Sequence, residues 1–171
     1  MFAANLAIAG CEGPSPVDAE VLPPAVRTID SPDGAYQLLI ENSANGVAQA
    51  ALSATGSDQL LWNQQLPHEN GPRIAIVGSQ GTVVLLDEWI NVFTDHAITV
   101  YDRSGTVLSS VSTNEIAETM NLSRAELVAQ ATHGPWIAGE PFHSEGFVLV
   151  PVGERQIAID MDDGSLDVRR P

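Results

Sequence analysis

Three segments of this chain open with a serine, turn through a glycine and run into an apolar strand, and that recurrence limits the fold more than any other feature. They are Ser31-Pro-Asp-Gly34-Ala-Tyr-Gln-Leu-Leu-Ile, Ser79-Gln-Gly81-Thr-Val-Val-Leu-Leu and Ser144-Glu-Gly146-Phe-Val-Leu-Val. Each is followed by another strand, a second glycine turn and a further strand. The second hairpins run from Ala51 through Gly56 to Trp62, from Ala97 through Gly105 to Leu108, and from Gln156 through Gly164 to Leu166. Short apolar runs punctuated by glycine turns are the mark of antiparallel β structure.

Spacing supports a true repeat. Gly34 to Gly81 is 47 positions and Gly56 to Gly105 is 49, whereas Gly81 to Gly146 is 65, longer by 18. The excess matches the one helical stretch. There, Ser112-Thr-Asn-Glu115 and Ser123-Arg-Ala-Glu126 both fit the capping box, in which serine and glutamate satisfy each other's backbone N–H groups. The pattern predicts two short helices, about 114–120 and 124–131, inserted between the second and third repeats. Only Arg124 is basic in that stretch, so a DNA-reading helix pair is set aside.

A period near 45 with paired hairpins resembles the blades of propeller-like repeat proteins, especially those with a Ser-Pro-Asp-Gly strand start and an Asp-x-x-Gly-x-Leu hairpin. More narrowly, Leu85-Leu-Asp-Glu-Trp89 with Asp95-His-Ala-Ile-Thr-Val-Tyr-Asp-Arg-Ser-Gly-Thr-Val-Leu108 resembles a group of uncharacterised bacterial envelope proteins, some of them lipoproteins. The resemblance covers roughly Ser31 to Arg170. Its motifs are turn chemistry, so it implies a fold rather than an activity. The expected fold class is mainly β, with about three blade-like units and a two-helix insertion at about 114–131. Closed propellers typically take roughly 4–8 blades. Three units therefore imply an open or partial propeller, a sandwich-like body, or a unit completed by another chain. An open stack leaves edge strands, which are natural docking sites.

Composition removes several chemistries. The formal net charge is −15, from 22 acidic against 7 basic residues. Such a surface repels phosphate backbones and anionic headgroups, so nucleic acid is not an expected partner. All seven basic residues are arginine. Without lysine there is no P-loop lysine, no Schiff base and no Ser–Lys pair. The one cysteine, Cys11, excludes an internal disulfide, a CxxC pair and a four-cysteine metal site. Gly78-Ser-Gln-Gly81 is not a nucleophile elbow, and neither GxGxxG nor a Walker sequence occurs. No cofactor is expected.

The amino terminus reads as an address. Residues 1–11 form a short apolar run ending in Ile8-Ala-Gly-Cys11, which resembles a truncated signal segment with a bacterial lipobox and makes Cys11 the expected lipidation site. Residues 12–30 read as a Pro-rich acidic tether and 31–171 as a single β-repeat domain. No run of 18 apolar residues is present, so membrane contact is expected only through a lipid tether. The expected location is the periplasm or cell envelope.

Several residues invite a chemical reading, each beside a plainer one. Asp87 and Glu88 end an apolar strand, with Asp95-His96 seven residues on. Carboxylates beside a histidine could form an acid–base pair. In a regular strand, however, Asp87 and Glu88 point to opposite faces, and Trp89 reads as a core or edge anchor. Trp136 sits in Gly134-Pro-Trp136, flanked by His133 and His143, and none of the four histidines has HxH or HExxH spacing. Asp160-Met-Asp-Asp-Gly164 is explained by a tight hairpin, because it lacks the ligand series of a calcium loop. Asp87, Glu88, Trp89, His96 and Trp136 are therefore read as structural or interaction residues, with no catalytic or metal-binding residue assigned. The expected function is a non-catalytic extracytoplasmic protein-interaction module, in one version a lipid-anchored accessory subunit of a membrane-embedded respiratory or photosynthetic complex. The alternative is an envelope metal- or carboxylate-dependent hydrolase using Asp87 or Glu88 with His96.

Overall fold

A computed structural model describes residues 22–43, 45–57, 59–90 and 92–170. Among these residues the fold is mainly β, with three four-stranded antiparallel sheets and two short helices, and no sheet closes on itself into a barrel. The first sheet is β1 (Val26–Asp30), β2 (Tyr36–Asn42), β3 (Val47–Ala54) and β4 (Gln59–Glu69). The second is β5 (Pro72–Val77), β6 (Val83–Glu88), β7 (Ile98–Tyr101) and β8 (Val107–Val111). The third is β9 (Phe142–Ser144), β10 (Phe147–Val152), β11 (Arg155–Asp160) and β12 (Leu166–Arg169). In each sheet the strands lie side by side in chain order.

The repeats read from the glycine turns are these sheets, each with one strand more than the turns reveal. The strands after Gly34, Gly81 and Gly146 are β2, β6 and β10, and the second hairpins are β3–β4, β7–β8 and β11–β12. All three of those glycines, with Gly105 and Gly164, have positive φ, a conformation in which a Cβ is strained. The additional strands are β1, β5 and β9. β1 lies within the stretch read as tether, which is corrected at its end: Val26–Asp30 pairs along its whole length with β2. Cys11 and the rest of the tether up to residue 21 lie outside the described residues.

The helices are α1 (Thr113–Met120) and α2 (Arg124–Gln130), and both capping boxes form. Ser112 Oγ accepts from the Glu115 N–H, and the Glu115 carboxylate accepts from the Ser112 N–H; Ser123 and Glu126 repeat the exchange. The insertion is not a surface ornament. Ile116, Met120 and Leu127 are buried in the core between the second and third sheets.

Two cores share one strand. Every residue of β6 is buried. Val83 and Leu85 pack with Leu38, Ile40, Leu52 and Trp62 of the first sheet. Val84 and Leu86 pack with α1, α2, Trp136 and the valines of β10. Alternation along a strand sends successive side chains to opposite faces, so an unbroken apolar run is the pattern for a strand covered on both sides. The second sheet thus stands between the other two.

Because β6 serves both cores, truncating it should weaken the whole domain. Leu85→Ala is expected to cost about 2–5 kcal/mol, the range for a buried leucine that leaves a cavity. Urea unfolding followed by tryptophan fluorescence checks this; a loss below about 1 kcal/mol would mean that the strand is less tightly held than its burial indicates.

Candidate functional site

The carboxyl end of β6 and the loops around it gather most of the unpartnered buried polar atoms of the described residues. Asp87 is 0% exposed and Glu88 6%. Asp87 has φ of 60°, a left-handed conformation that is rare for a residue with a side chain. Its N–H donates to the Ala97 carbonyl at 2.9 Å, which fixes the turn against the start of β7.

The two carboxylates take different partners. Asp87 turns to the loop after α2: Gly134 approaches so closely that a Cβ there would lie 2.5 Å from Asp87 Oδ2. The Trp136 indole N–H faces the Asp87 carboxyl without reaching ordinary hydrogen-bond geometry. Arg73 lies near enough to act on Asp87 by charge, but its Nη2 donates to the Trp89 carbonyl at 2.8 Å. Glu88 instead accepts from Thr94 Oγ1 at 3.0 Å, and the same hydroxyl accepts from the His96 N–H at 3.0 Å. Glu88 also feels the charge of Glu69 on β4.

A second layer ties this end of β6 to the first sheet. Arg27 of β1 donates to the carbonyls of Pro72 and Arg73, and its guanidinium lies 5.2 Å from the centre of the Trp89 ring. The Trp89 N–H donates to Gly71. His68 is buried and meets His96, with ring centres 5.8 Å apart and His68 Nε2 3.1 Å from the His96 carbonyl. Neither Nδ1 has a hydrogen-bond partner among the described residues.

Burial dominates the proton chemistry. Loss of water pushes the Asp87 carboxyl up to about 7, against opposing pulls from the Glu88 backbone N–H and the Arg73 charge. The same cause pushes Glu88 up to about 7, with the Thr94 hydroxyl pulling the other way. Burial and the neighbouring His96 lower His68 to about 4. Charged forms are disfavoured throughout, since a carboxylate without water or a partner has no compensation for its lost hydration.

The sequence-predicted residues are therefore brought together in part. Asp87, Glu88, Trp89, Trp136 and His96 belong to one neighbourhood, but the carboxylates face apart. His68 lines an open cavity of about 550 Å³ and His96 another of about 470 Å³, and neither Asp87 nor Glu88 lines either of them. His133 is exposed after α2 and bonded through Nδ1 to Thr132 Oγ1, and His143 is exposed on β9. Among the described residues no three His, Cys, Asp or Glu side chains stand where they could share a metal ion. Asp160 and Asp163 accept from the N–H groups of Asp162 and Ser165, which is turn chemistry. Arg27, His68, Arg73 and Gly134 were not singled out by sequence reasoning: strand pairing within the second sheet brings Arg73 beside β6, and tertiary packing brings the other three.

No protein-family model matches the chain, and no curated protein matches it. Among solved structures it is similar to KlHsv2 with loop 6CD replaced by a Gly-Ser linker, at 10% sequence identity and a TM-score of 0.40. The match covers 84% of this chain and 38% of that one, so this chain spans well under half of that chain's length.

For Asp87 and Glu88 the folded-state pKa is raised, so their stabilising contribution is complete below about pH 4 and lost as pH rises through about 7. For His68 it is lowered, so its contribution is complete above about pH 6.5 and lost as pH falls through about 4. Two groups outweigh one, and stability should decline between about pH 4.5 and 7. Asp87→Asn, a neutral mimic of the protonated acid, should match the wild type near pH 3.5 and exceed it near pH 8; parallel curves across thermal melts would sink this account. Separately, Gly134→Ala should cost at least about 1 kcal/mol, from the clash with Asp87 and from a φ of 141° that a side chain strains, and only the clash part should be recovered when Asp87 is already alanine. A double-mutant cycle showing simple additivity would remove that contact.

Proposed function

We propose that this chain is a non-catalytic extracytoplasmic protein-interaction module of the bacterial envelope. In this reading its three sheets are blade-like units of an open, propeller-like stack, tethered through a lipid on Cys11. It serves as an accessory subunit on a membrane-embedded complex, a respiratory or photosynthetic assembly being the concrete version. No helix of the described residues is long and apolar enough to cross a membrane, so the tether carries the membrane association in this reading.

The observation that carries the interaction reading is on the sheet edges. Of the six edge strands among the described residues, four carry an exposed large apolar side chain: Val26 on β1, Leu60 on β4, Val107 on β8 and Phe142 on β9. Soluble proteins commonly blunt such edges with charge, and an apolar unpaired edge is a template for an added strand. The edges of β4 and β8 also flank the cavity of about 470 Å³, where Leu66, Pro67, Tyr101 and Val107 offer an apolar floor. An extended segment laid there would gain both ladder bonds and burial.

The hydrolase reading draws on the same buried carboxylates, since raised pKa values are what a general acid requires. Enclosure weighs against it. Asp87 has no exposed surface through which a substrate could meet it, and its opening is closed by Gly134 and Trp136.

Affinity purification from detergent-solubilised membranes tests the proposal. The wild-type chain should be recovered in the membrane fraction with a stoichiometric protein partner. Cys11→Ser should move it to the soluble fraction, and Val107→Lys should reduce partner recovery roughly tenfold while leaving the melting curve unchanged, an effect of about 1.4 kcal/mol on binding. Recovery only as a free soluble protein, whatever the substitution, would overturn the reading.

A further inference from the structure

The face that the second sheet turns to the first is covered over β6 and β7 and open over β8. Val83 and Leu85 of β6 point into the smaller core. Their cross-strand partners Tyr101 and Thr99 share that face, and so do Val107 and Ser110 of β8, paired in turn with Tyr101 and Thr99. Tyr101 is buried and Thr99 only 1% exposed, whereas Val107 and Ser110 stand open to solvent. The groove left between β4 and β8 is the cavity of about 470 Å³, within the range of roughly 300–1,000 Å³ usual for ligand sites.

Two properties of this groove limit what can fill it. In a chain of net charge −15, no carboxylate and no guanidinium lines it. A charged group entering would lose hydration and find no opposite charge, so the occupant is neutral there. The wall also holds unspent hydrogen-bonding groups: Thr99 Oγ1 and His96 Nδ1 are buried without a partner among the described residues. A buried polar atom left unpaired is costly, which favours an occupant that supplies the missing bond. Around these groups, Leu66, Pro67, Tyr101 and Val107 offer apolar surface. Among side chains, tyrosine joins a neutral apolar body to a hydroxyl that both donates and accepts. Phenylalanine lacks the hydroxyl, the tryptophan N–H only donates, and amides and short hydroxyls have little apolar body.

We propose that this groove receives a tyrosine side chain from an extended segment of the partner protein, the segment pairing along the edge of β8 and the phenol bonding the Thr99 hydroxyl. This rests on the interaction module argued above and adds the chemistry that the module recognises. β8 is the last strand of its sheet among the described residues, so its outer backbone groups can take an added strand. Alternate side chains of such a strand face the same way, and one of them meets the groove beside Val107.

NMR titration of the whole isotopically labelled chain tests this, with the capped peptides Ser-Val-Tyr-Val-Ser and Ser-Val-Phe-Val-Ser as probes. The tyrosine peptide should shift the amides of Thr99, Val107 and Ser110 and bind roughly fivefold to tenfold more tightly than the phenylalanine peptide, the ratio that one hydrogen bond supports. Thr99→Val, which keeps the shape and removes the hydroxyl, should erase that ratio while binding the phenylalanine peptide as well as the wild type does. Equal binding of both peptides to the wild type overturns the proposal, as does a preference that persists in Thr99→Val or the absence of binding. If Val107→Lys abolishes recovery of a membrane partner while the peptides are not distinguished, only the tyrosine assignment falls. Tyrosine-selective binding by a chain that recovers no partner from membranes sinks the envelope reading and leaves the chemistry of the groove standing.

Discussion

The complete burial of β6 is the constraint from which the rest of this structure follows. Val83-Val84-Leu85-Leu86 supplies apolar surface to both sides of one strand, and each pair is matched by a different core. A strand like this cannot sit at a surface or on an edge, so it requires a sheet on either side. At roughly 25 cal/mol per Å² of apolar surface removed from water, both faces are worth covering, and the sheets before and after it are the available cover. The order of the three sheets in space thus follows from the position of the most apolar strand in the sequence.

The same constraint explains the unusual backbone at Asp87. A strand that continued straight would place Asp87 with Val83 and Leu85, against the first sheet, and Glu88 with Val84 and Leu86, against the third. The left-handed turn at Asp87 breaks that parity: Asp87 meets Gly134 and Trp136 of the larger core, and Glu88 meets Thr94 and Glu69 near the first sheet. A non-glycine residue in that conformation costs about 1 kcal/mol or more. The surrounding bonds to Ala97, Gly71 and Trp89 hold it there. Neutral carboxyls are the cheaper state in such a place, which is why both groups keep their protons to unusually high pH.

What could be read from the sequence was what local chemistry dictates. Glycine at a positive-φ turn and serine–glutamate capping boxes act over a few residues, and the hairpins and both helices were placed correctly from them. The first strand of each sheet was not. β1 follows a run of prolines that pointed to a tether, β5 opens on Pro72, and β9 has only three residues directly after Pro141. Proline is tolerated at the first position of a strand and on edges, so it hid these strands without preventing them. The buried site was legible only as Asp87-Glu88-Trp89 and His96. Arg27, His68 and Gly134 enter it from 60, 19 and 47 positions away from Asp87, and no spacing rule carries that information.

The helical insertion bears on why the repeat is irregular. The core between the first and second sheets is filled by strand residues alone, including Trp62 and Tyr101, whose rings lie 5.7 Å apart. The other core has no aromatic residue from a strand among its buried members and takes Ile116, Met120, Leu127 and Trp136 from the insertion and the loop behind it. Arg155 of β11 then donates to the Met120 carbonyl at the end of α1, tying the helix to the third sheet. The extra residues between the second and third repeats are thus part of the packing that joins those sheets. A deletion restoring the shorter spacing would leave that core without its largest side chains, so the longest interval in the repeat is also the one least free to shrink.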